Sequence, residues 1–402
     1  MLSLDTLQVE DDSKVWKSIR HIKFIIPILG IGILLAAVIF ILSIITLVKV
    51  NKKIDAIQNY KQRSMINFKE QQHSSDTILA SSIRIEEAMS HLNELQRIAT
   101  VSNGTRAINT LGFNDTLDYI RNYLTANTNF KKSKSINCWS SSARNICADT
   151  PTGDSTQTII IGSHSDSVLE GPGINDNGNG SAANLALAVA LARLFRTPSY
   201  PKYRYRVRFC WWGAEEIGLL GSDHHVKQAK NSSIVGERLS DYLINLNYDM
   251  LASPNYIFGI YDAHTAKNGT PVHALPGSQK ITSLFKNWFI QQNLPWDYTS
   301  FTDLSDYGPF LAEGIVAGGL YSGADEKKTM EQRNRYDATL GQGLGGIPDI
   351  MQDPCYHRAC DSIENINVYA YEKMIRAAAY ALEYLGRQED LKAWLYPLDK
   401  KQ

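Results

Sequence analysis

The sequence predicts an α/β domain, a three-layer sandwich in which a mixed, mostly parallel central sheet is flanked by helices. Apolar runs of strand length alternate along the chain with segments whose apolar residues recur at helical spacing. The 402 residues, 44% of them hydrophobic, suffice for one such domain and an N-terminal appendage. Basic and acidic residues number 41 each, so the net charge gives no reason to expect a nucleic-acid partner.

The N-terminal appendage is predicted to cross a membrane. Residues 24–48 contain no charged side chain and, as a helix, would span a bilayer core of about 30 Å. A cleaved signal peptide would have a shorter apolar stretch with a small-residue cleavage site, and a buried core helix would have a more polar face. The sequence therefore predicts a cytoplasmic tail at 1–23, a transmembrane signal anchor in the lipid bilayer at 24–48, a stalk at 49–82 and a globular domain at 83–398.

The orientation of this span is inferred from the residues that follow it. Basic residues flank the span on both sides, so their number does not decide the topology. Glycosylation sequons and closely spaced cysteines after the span favour an oxidising compartment, which predicts a single-pass type II protein with a lumenal or extracellular domain. The sequons begin at Asn103, Asn114, Asn231 and Asn268.

The five cysteines are too few for a disulfide scaffold but suit two short bridges and one spare thiol. Their spacing indicates the pairs Cys355–Cys360 and Cys138–Cys147. The remaining cysteine, Cys210, lies in the middle of a predicted strand and is expected to be a buried free thiol.

Within the globular domain, strands and helices are predicted from periodicity. Apolar β-branched runs indicate buried strands, strict alternation indicates a strand with two different faces, and helical spacing indicates amphipathic helices. In chain order the predicted elements are helices at 84–98 and 116–124, a strand in TIIIGSHSDSV, a helix at 181–195, an alternating strand at 204–212, a buried strand at 242–250 and a terminal helix at 367–385.

Polar side chains follow three of these predicted strands. His164 and Asp166 follow the first, Glu215 and Glu216 follow the alternating strand, and Asp249 follows the next. Functional groups in open α/β sheets gather at the carboxyl ends of the strands. We therefore expect these five side chains to converge on one site.

Two further segments complete the predicted site. The Gly-rich turn PGINDNGNGS presents Asp176, and DPCYHRACD holds His357 between two cysteines. Imidazole nitrogens and carboxylate oxygens are ligands that zinc accepts, and this set suffices for two Zn2+ ions if one carboxylate bridges them. The predicted assignment gives Asp176 to both ions, His164 and Asp249 to one ion, and Glu216 and His357 to the other.

Three further residues are predicted to act beside the ligands. Asp166 is placed to accept the far ring N–H of His164 and so fix the imidazole. Glu215, next to a ligand, is a candidate general base, and Tyr356 is a candidate donor to a developing oxyanion.

Each of these residues also has an ordinary explanation when taken alone. Adjacent Glu215 and Glu216 suit a helix N-terminus, and Asp176 suits a turn rich in Gly and Asn. A lone histidine is more often packed or surface-exposed than a ligand, and we interpret the histidines outside these motifs in that way. The metal interpretation gains weight because all five ligands occur in order, each at a predicted strand end or turn.

These motifs closely resemble those of the secreted leucyl-type aminopeptidases of bacteria and fungi, zinc exopeptidases related to glutamate carboxypeptidase and the transferrin receptor. The resemblance runs from about residue 84 to about residue 395. It implies a mixed eight-stranded sheet, the ligand set and base named above, and a cis peptide between Asp176 and Asn177. The matching motifs are GSHSDSV, GPGINDNGNGSAA, VRFCWWGAEEIGLLGS, NLNYDMLASPN, SDYGPF, GGLYSGA and DPCYHRACD.

The resemblance implies a zinc aminopeptidase that removes the first residue from peptides with a free N-terminus, with Met250 and Tyr356 lining an apolar pocket. Leu304 and Tyr307 stand where Arg and His are common in the family, which changes the contacts beyond the cleaved bond. A sequon at Asn179 lies in the ligand-bearing turn and is predicted to be unmodified. The alternatives are acyl transfer by a single-zinc, glutaminyl cyclase-like enzyme, a zinc carboxypeptidase and a catalytically silent receptor ectodomain.

Overall fold

The structure is a computed structural model that describes residues 76–397 except 133–135 and 139–142, with the backbone alone at 132, 136–138 and 143. The predicted tail, the predicted membrane span and the predicted stalk up to residue 75 lie outside the described residues. Within the described part of the chain, none of the helices has the length and apolar character needed to cross a membrane.

A mixed sheet forms the centre of the domain. Eight strands of the described residues pair in the order β1-β3-β5-β4-β6-β9-β7-β8, and β2 pairs with β3. The strands β5, β4, β6 and β9 are mutually parallel, whereas β3 and β7 run antiparallel to their inner neighbours. The bounds are β1 Lys131–Lys132, β2 Ile136–Cys138, β3 Ala143–Asp149, β4 Asp154–His164, β5 Tyr205–Trp212, β6 Tyr242–Tyr248, β7 Gly259–Asp262, β8 Asp297–Ser300 and β9 Val316–Tyr321.

Helices flank this sheet, as the sequence predicts. Helix α4 packs against β4 and β5, and α6 packs against β7 and β9. The helices are α1 Ile78–Ser81, α2 Ile85–Val101, α3 Leu111–Asn127, α4 Asn179–Arg196, α5 Leu220–Asn231, α6 Leu275–Gln291, α7 Tyr307–Ala312, α8 Met330–Leu340, α9 Val368–Gly386 and α10 Leu391–Leu395.

The central strands are covered on both faces. Every residue of β4 from Thr158 to His164 is buried, and Ile159, Ile160 and Ile161 are fully buried. Successive side chains of a strand point to opposite faces, so a strand buried at every position has packed layers on both sides. Burial on both faces explains the continuous apolar run in the sequence. The polar residues at the carboxyl end of β4 are therefore the first residues of this segment that can line a site.

Both faces of β5 are buried as well, including the one that carries its arginines. Arg206 and Arg208 lie inside the protein, where Arg208 forms ion pairs with Asp149 at 2.7 Å and with Glu237 at 2.6 Å. Hydrogen-bonded carboxylates compensate for the loss of water around a buried guanidinium group. The sequence alternation therefore distinguishes an apolar face from an ion-paired face rather than a buried face from a solvated one.

The disulfide pairing differs in part from the prediction. Cys355 and Cys360 are bonded as predicted, but Cys147 is bonded to Cys210. The predicted Cys138–Cys147 bridge and the predicted free thiol at Cys210 are therefore wrong. The antiparallel register of β3 and β5 places Cys147 directly opposite Cys210, with their Cα atoms 4.2 Å apart. Closeness along the sequence could not reveal a contact between strands whose cysteines are 63 residues apart.

Candidate metal centre

The three parallel strands β5, β4 and β6 bring separate segments of sequence to one edge of the sheet. His164 ends β4 and lies level with Trp212 at the end of β5, so the chain after β5 carries Glu215 and Glu216 past the imidazole. The pairing of β4 with β6 brings the end of β6, and Asp249 just after it, to the same edge. The expected convergence of strand-end side chains is thus present in the fold.

The five predicted ligands form two groups that share one carboxylate. In the first group, His164 Nε2 lies 3.2 Å from Asp176 Oδ1 and 3.3 Å from Asp249 Oδ1. In the second group, His357 Nε2 lies 3.1 Å from Asp176 Oδ2 and 3.2 Å from Glu216 Oε2. Asp176 therefore directs one oxygen to each group.

These distances fit tetrahedral metal coordination. Two ligand atoms on one zinc ion at about 2.0–2.1 Å lie about 3.3 Å apart when the geometry is tetrahedral. The four distances from an imidazole nitrogen to a carboxylate oxygen, 3.1 to 3.3 Å, match that separation. Among the described residues, Glu216 Oε1 and Asp249 Oδ1 are also buried without a hydrogen-bond partner. Both groups are therefore suited to hold a divalent cation.

The pKa values of the two histidines also indicate that both groups are suited to a cation. Burial by itself would lower the pKa of His164, but Glu215 and Asp249 outweigh burial and raise that pKa well above its usual value. Hydrogen bonds to Asp176 and Glu216 raise the pKa of His357 to about 10. Both shifts show that the surrounding carboxylates favour positive charge at these positions.

The pKa values of the carboxylates reflect their burial close to one another and to the two imidazoles. Burial, followed by repulsion from Asp176, raises the pKa of Glu216 to about 7. Although burial opposes it, contact with His164 and His357 lowers the pKa of Asp176. Burial also raises the pKa of Glu215 well above its usual value. Negative charge is thus concentrated where a bound cation would stabilise it.

The turn that carries Asp176 is held by a residue that the sequence did not single out. The carboxylate of Asp361 accepts the backbone N–H of Asn175 at 2.8 Å and that of Asp176 at 3.0 Å. The peptide between Asp176 and Asn177 is cis, as the family resemblance implied. Asp361 follows DPCYHRAC, so the segment that supplies His357 also fixes the turn of the shared carboxylate.

Asp249 is oriented by the loop before α7. Its Oδ2 accepts a hydrogen bond from Ser305 at 2.5 Å, and Ser305 in turn accepts one from Asn247 at 2.8 Å. The other carboxylate oxygen, Oδ1, is left facing His164. Ser305 belongs to the motif SDYGPF, which the sequence matched to a family without assigning a role to the serine.

Asp166 contacts His164 through its backbone carbonyl rather than through the carboxylate that the sequence predicted. The Nδ1 atom of His164 lies 3.2 Å from the backbone carbonyl oxygen of Asp166 and 3.6 Å from its carboxylate. The carboxylate accepts the backbone N–H groups of Glu215 at 3.3 Å and Glu216 at 3.4 Å. Asp166 therefore connects the first ligand with the turn that carries the predicted base.

The two groups open into a cleft of about 810 Å3 that Glu215, Met250 and Tyr356 help to line. Glu215 Oε2 lies 3.9 Å from His164 Nε2, farther than the two carboxylates grouped with that nitrogen. The ring of Tyr356 stacks on His357 with a centroid distance of 3.8 Å. Predicted base, oxyanion donor and pocket residues thus border one cavity.

The two family departures also border this cleft. Leu304 is 76% exposed at its rim, so it offers an apolar surface. Tyr307 is buried, and its hydroxyl oxygen accepts backbone N–H groups from Thr302 at 2.9 Å and Asp303 at 3.1 Å. Tyr307 therefore shapes the loop that precedes Ser305.

The family model described as Peptidase family M28 matches residues 145–382, more than half of the chain and a span that contains all five predicted ligands. The chain belongs to peptidase family M28.

Known proteins resemble this M28 chain over most of the domain. Leupeptin-inactivating enzyme 1 of Streptomyces exfoliatus is 35% identical over 305 residues, which are 76% of this chain and 62% of that protein. An aminopeptidase of Pseudomonas aeruginosa is 39% identical over 242 residues, which are 60% of this chain and 41% of that protein. The matched parts thus span less than two thirds of these relatives.

A solved structure shares the fold of the M28 chain. The LapA aminopeptidase of Legionella pneumophila superposes with a TM-score of 0.56 and 18% sequence identity, over 78% of each chain. At this identity the likeness concerns the fold alone.

Proposed function

We propose that this M28 chain is a two-zinc aminopeptidase that hydrolyses the first peptide bond of substrates with a free N-terminus. The observation that carries the proposal is the division of the Asp176 carboxylate, one oxygen toward His164 and the other toward His357. A carboxylate shared in this way is suited to hold two cations close together. The curated relative from Pseudomonas aeruginosa is itself named an aminopeptidase.

Zinc ions bound at the two groups would polarise the scissile carbonyl and acidify a water molecule. Glu215 accepts the proton of the attacking water and passes it to the leaving amine, because its carboxylate borders the cleft without belonging to either ligand group. Tyr356 donates a hydrogen bond to the oxyanion that develops at the carbonyl. Asp166 keeps Glu215 in position through the backbone N–H that it accepts.

The chemistry of the α-amine accounts for the proposed requirement for a free N-terminus. A free α-amine can bind a zinc ion through its nitrogen lone pair or, when protonated, be attracted by cleft carboxylates outside the ligand groups such as Asp325 and Glu326. A blocked N-terminus, by contrast, is an amide with neither a basic lone pair nor a positive charge. Met250, Ile257 and Tyr261 line the same cleft and favour apolar side chains such as Leu, Met or Phe at the first position.

Removing the metal tests this function directly. We expect a chelator to abolish hydrolysis of leucyl substrates and added zinc to restore it, because the two ligand groups have no function without a cation. The full-length chain, purified in detergent, should contain about two zinc ions when measured by mass spectrometry, the number that two groups with one bridging carboxylate accept.

Three outcomes would contradict the proposal. Hydrolysis that survives metal removal would exclude the mechanism, and equal cleavage of peptides with blocked N-termini would favour a carboxypeptidase. A stoichiometry of one zinc ion together with cyclisation of N-terminal Gln would favour the glutaminyl cyclase alternative.

The membrane anchor and its orientation form the second part of the proposal. We infer that residues 24–48 anchor the chain, with 1–23 in the cytoplasm, 49–82 as a stalk and the M28 domain lumenal or extracellular. The disulfides Cys147–Cys210 and Cys355–Cys360 support an oxidising compartment, because thiols in the cytosol are kept reduced.

Glycosylation provides a test of this orientation. At two sequons the asparagine side chain is engaged: the half-buried Asn114 donates a hydrogen bond to Thr110 and accepts one from Arg144, and Asn179 is fully buried. We expect glycans at the three exposed sequons and none at these two, because a buried or engaged amide leaves no room for a sugar. The exposed sequons begin at Asn103, Asn231 and Asn268.

Electrophoretic mobility after glycosidase treatment measures this expectation in cells that glycosylate secreted proteins. Single Asn→Gln variants at the exposed sites should each remove one step of the mobility shift, while N114Q and N179Q serve as controls that change nothing. A chain that glycosidase leaves unshifted would refute the proposed orientation.

A further inference from the structure

Arg106, in the loop between α2 and α3, is a fully buried cation beside the metal centre. Within the described residues, its guanidinium group donates hydrogen bonds to three backbone carbonyl oxygens. Nη1 donates to Ser165 at 2.6 Å, Nε to Pro172 at 2.8 Å and Nη2 to Gly173 at 2.5 Å. Each of the three guanidinium nitrogens thus donates one hydrogen bond to main chain, a planar arrangement that a lysine cannot reproduce.

The three carbonyls belong to the two segments that carry His164 and Asp176, two of the three residues of the first group. Ser165 stands between His164 and Asp166, and Gly173 begins the turn that leads to Asp176. Gly173 has a φ of +58°, and a Cβ atom there would lie 2.3 Å from the carbonyl oxygen of Asp176 and 3.2 Å from Nη2 of Arg106. The positive φ and the contacts with Asp176 and with Ser167, whose Cβ would lie 2.4 Å away, restrict this position to glycine, and the turn lies directly against the guanidinium.

The positive charge of Arg106 interacts with several carboxylates of the site. Burial lowers its pKa to about 10, while Asp166, Asp361, Glu216 and Asp176 oppose that shift. The group therefore remains protonated at neutral pH. It supplies a fixed positive charge among carboxylates that repel one another.

We propose that Arg106 is a positioning residue of the metal centre, which joins the two ligand-bearing loops so that His164 and Asp176 can hold one ion between them. The inference rests on the proposed zinc site. Its chemical basis is that three directed hydrogen bonds fix the spacing of the loops before any cation binds, so that metal binding does not have to order them.

Zinc affinity separates this role from a general contribution to folding. We expect R106K to weaken zinc binding by about 10- to 100-fold, the range found when groups that orient metal ligands are lost. R106Q, which also removes the charge, should weaken it further. Affinity is measured by competition with a chromophoric chelator on the full-length protein, and turnover is measured separately, with kcat expected to fall more than KM rises.

Arg208 offers a matched control, because it is a buried guanidinium that pairs with Asp149 and Glu237 rather than with the ligand loops. R208K should lower the thermal midpoint of the metal-free protein without changing zinc affinity. Circular dichroism establishes that each variant is folded, and R106K alone decides the matter if R106Q does not fold.

The outcomes divide cleanly. Zinc affinity of R106K within twofold of the wild type, or an equal loss in R208K, would overturn the role of Arg106 while leaving the zinc site intact. A wild-type chain that binds no zinc would refute the proposed function and this inference together.

Discussion

Replacing Glu215 with Gln is expected to lower kcat by about 10²- to 10⁴-fold while the chain keeps its zinc ions. The amide has nearly the shape of the carboxylate but cannot accept the proton of the attacking water. Glu215 belongs to neither ligand group, so its replacement leaves both groups complete. The measurement is steady-state hydrolysis of a leucyl substrate, with zinc content determined on the same preparation.

A suitable control is E313Q, since Glu313 forms an ion pair with Lys230 on the surface away from the cleft lining. This variant should retain wild-type kcat. An E215Q protein with more than a tenth of wild-type turnover would show that another group takes the proton, and E215Q without zinc would show that Glu215 is a ligand.

Replacing Asp176 with Ala is expected to remove both zinc ions and all measurable activity. Its two carboxylate oxygens face different histidines, so one substitution takes a ligand atom from each group. By contrast, H357A takes a ligand from the second group alone and should retain one ion per chain. Zinc content after dialysis, together with circular dichroism to verify folding, provides the comparison.

The zinc content of D176A compared with that of H357A tests whether Asp176 bridges the two ions. If D176A loses no more zinc than H357A, the shared carboxylate does not bridge, and the centre consists of two independent sites. If both variants keep all their zinc, the ligand assignment itself is wrong.

The convergence of the predicted ligands followed from the sequence because of how parallel sheets are built. His164 and Asp249 each come directly after a run of buried strand residues, and neighbouring parallel strands end at one edge. The alternation in β5, the strand that follows β4 along the chain, likewise located Glu216. In each case the end of an apolar run indicated where the chain leaves the core.

Features that depend on the pairing of segments distant in sequence could not be predicted from the sequence. Cys147 meets Cys210 because β3 runs antiparallel to β5, and nothing in either segment states which strand will be its neighbour. The roles of Arg106 and Asp361 depend on main-chain groups far along the sequence. A lone Arg in a polar loop carries no periodicity that would indicate its role, and Asp361 ends the motif DPCYHRACD without any pattern that indicates what it contacts.

The predicted ligands come from five segments between His164 and His357, so no shorter piece of this span contains them all. A nascent chain still in synthesis before residue 357 has no means of closing the second group. Cation capture is therefore expected to be a late event in maturation that reports a finished domain, and a prematurely terminated chain would be inert toward surrounding peptides.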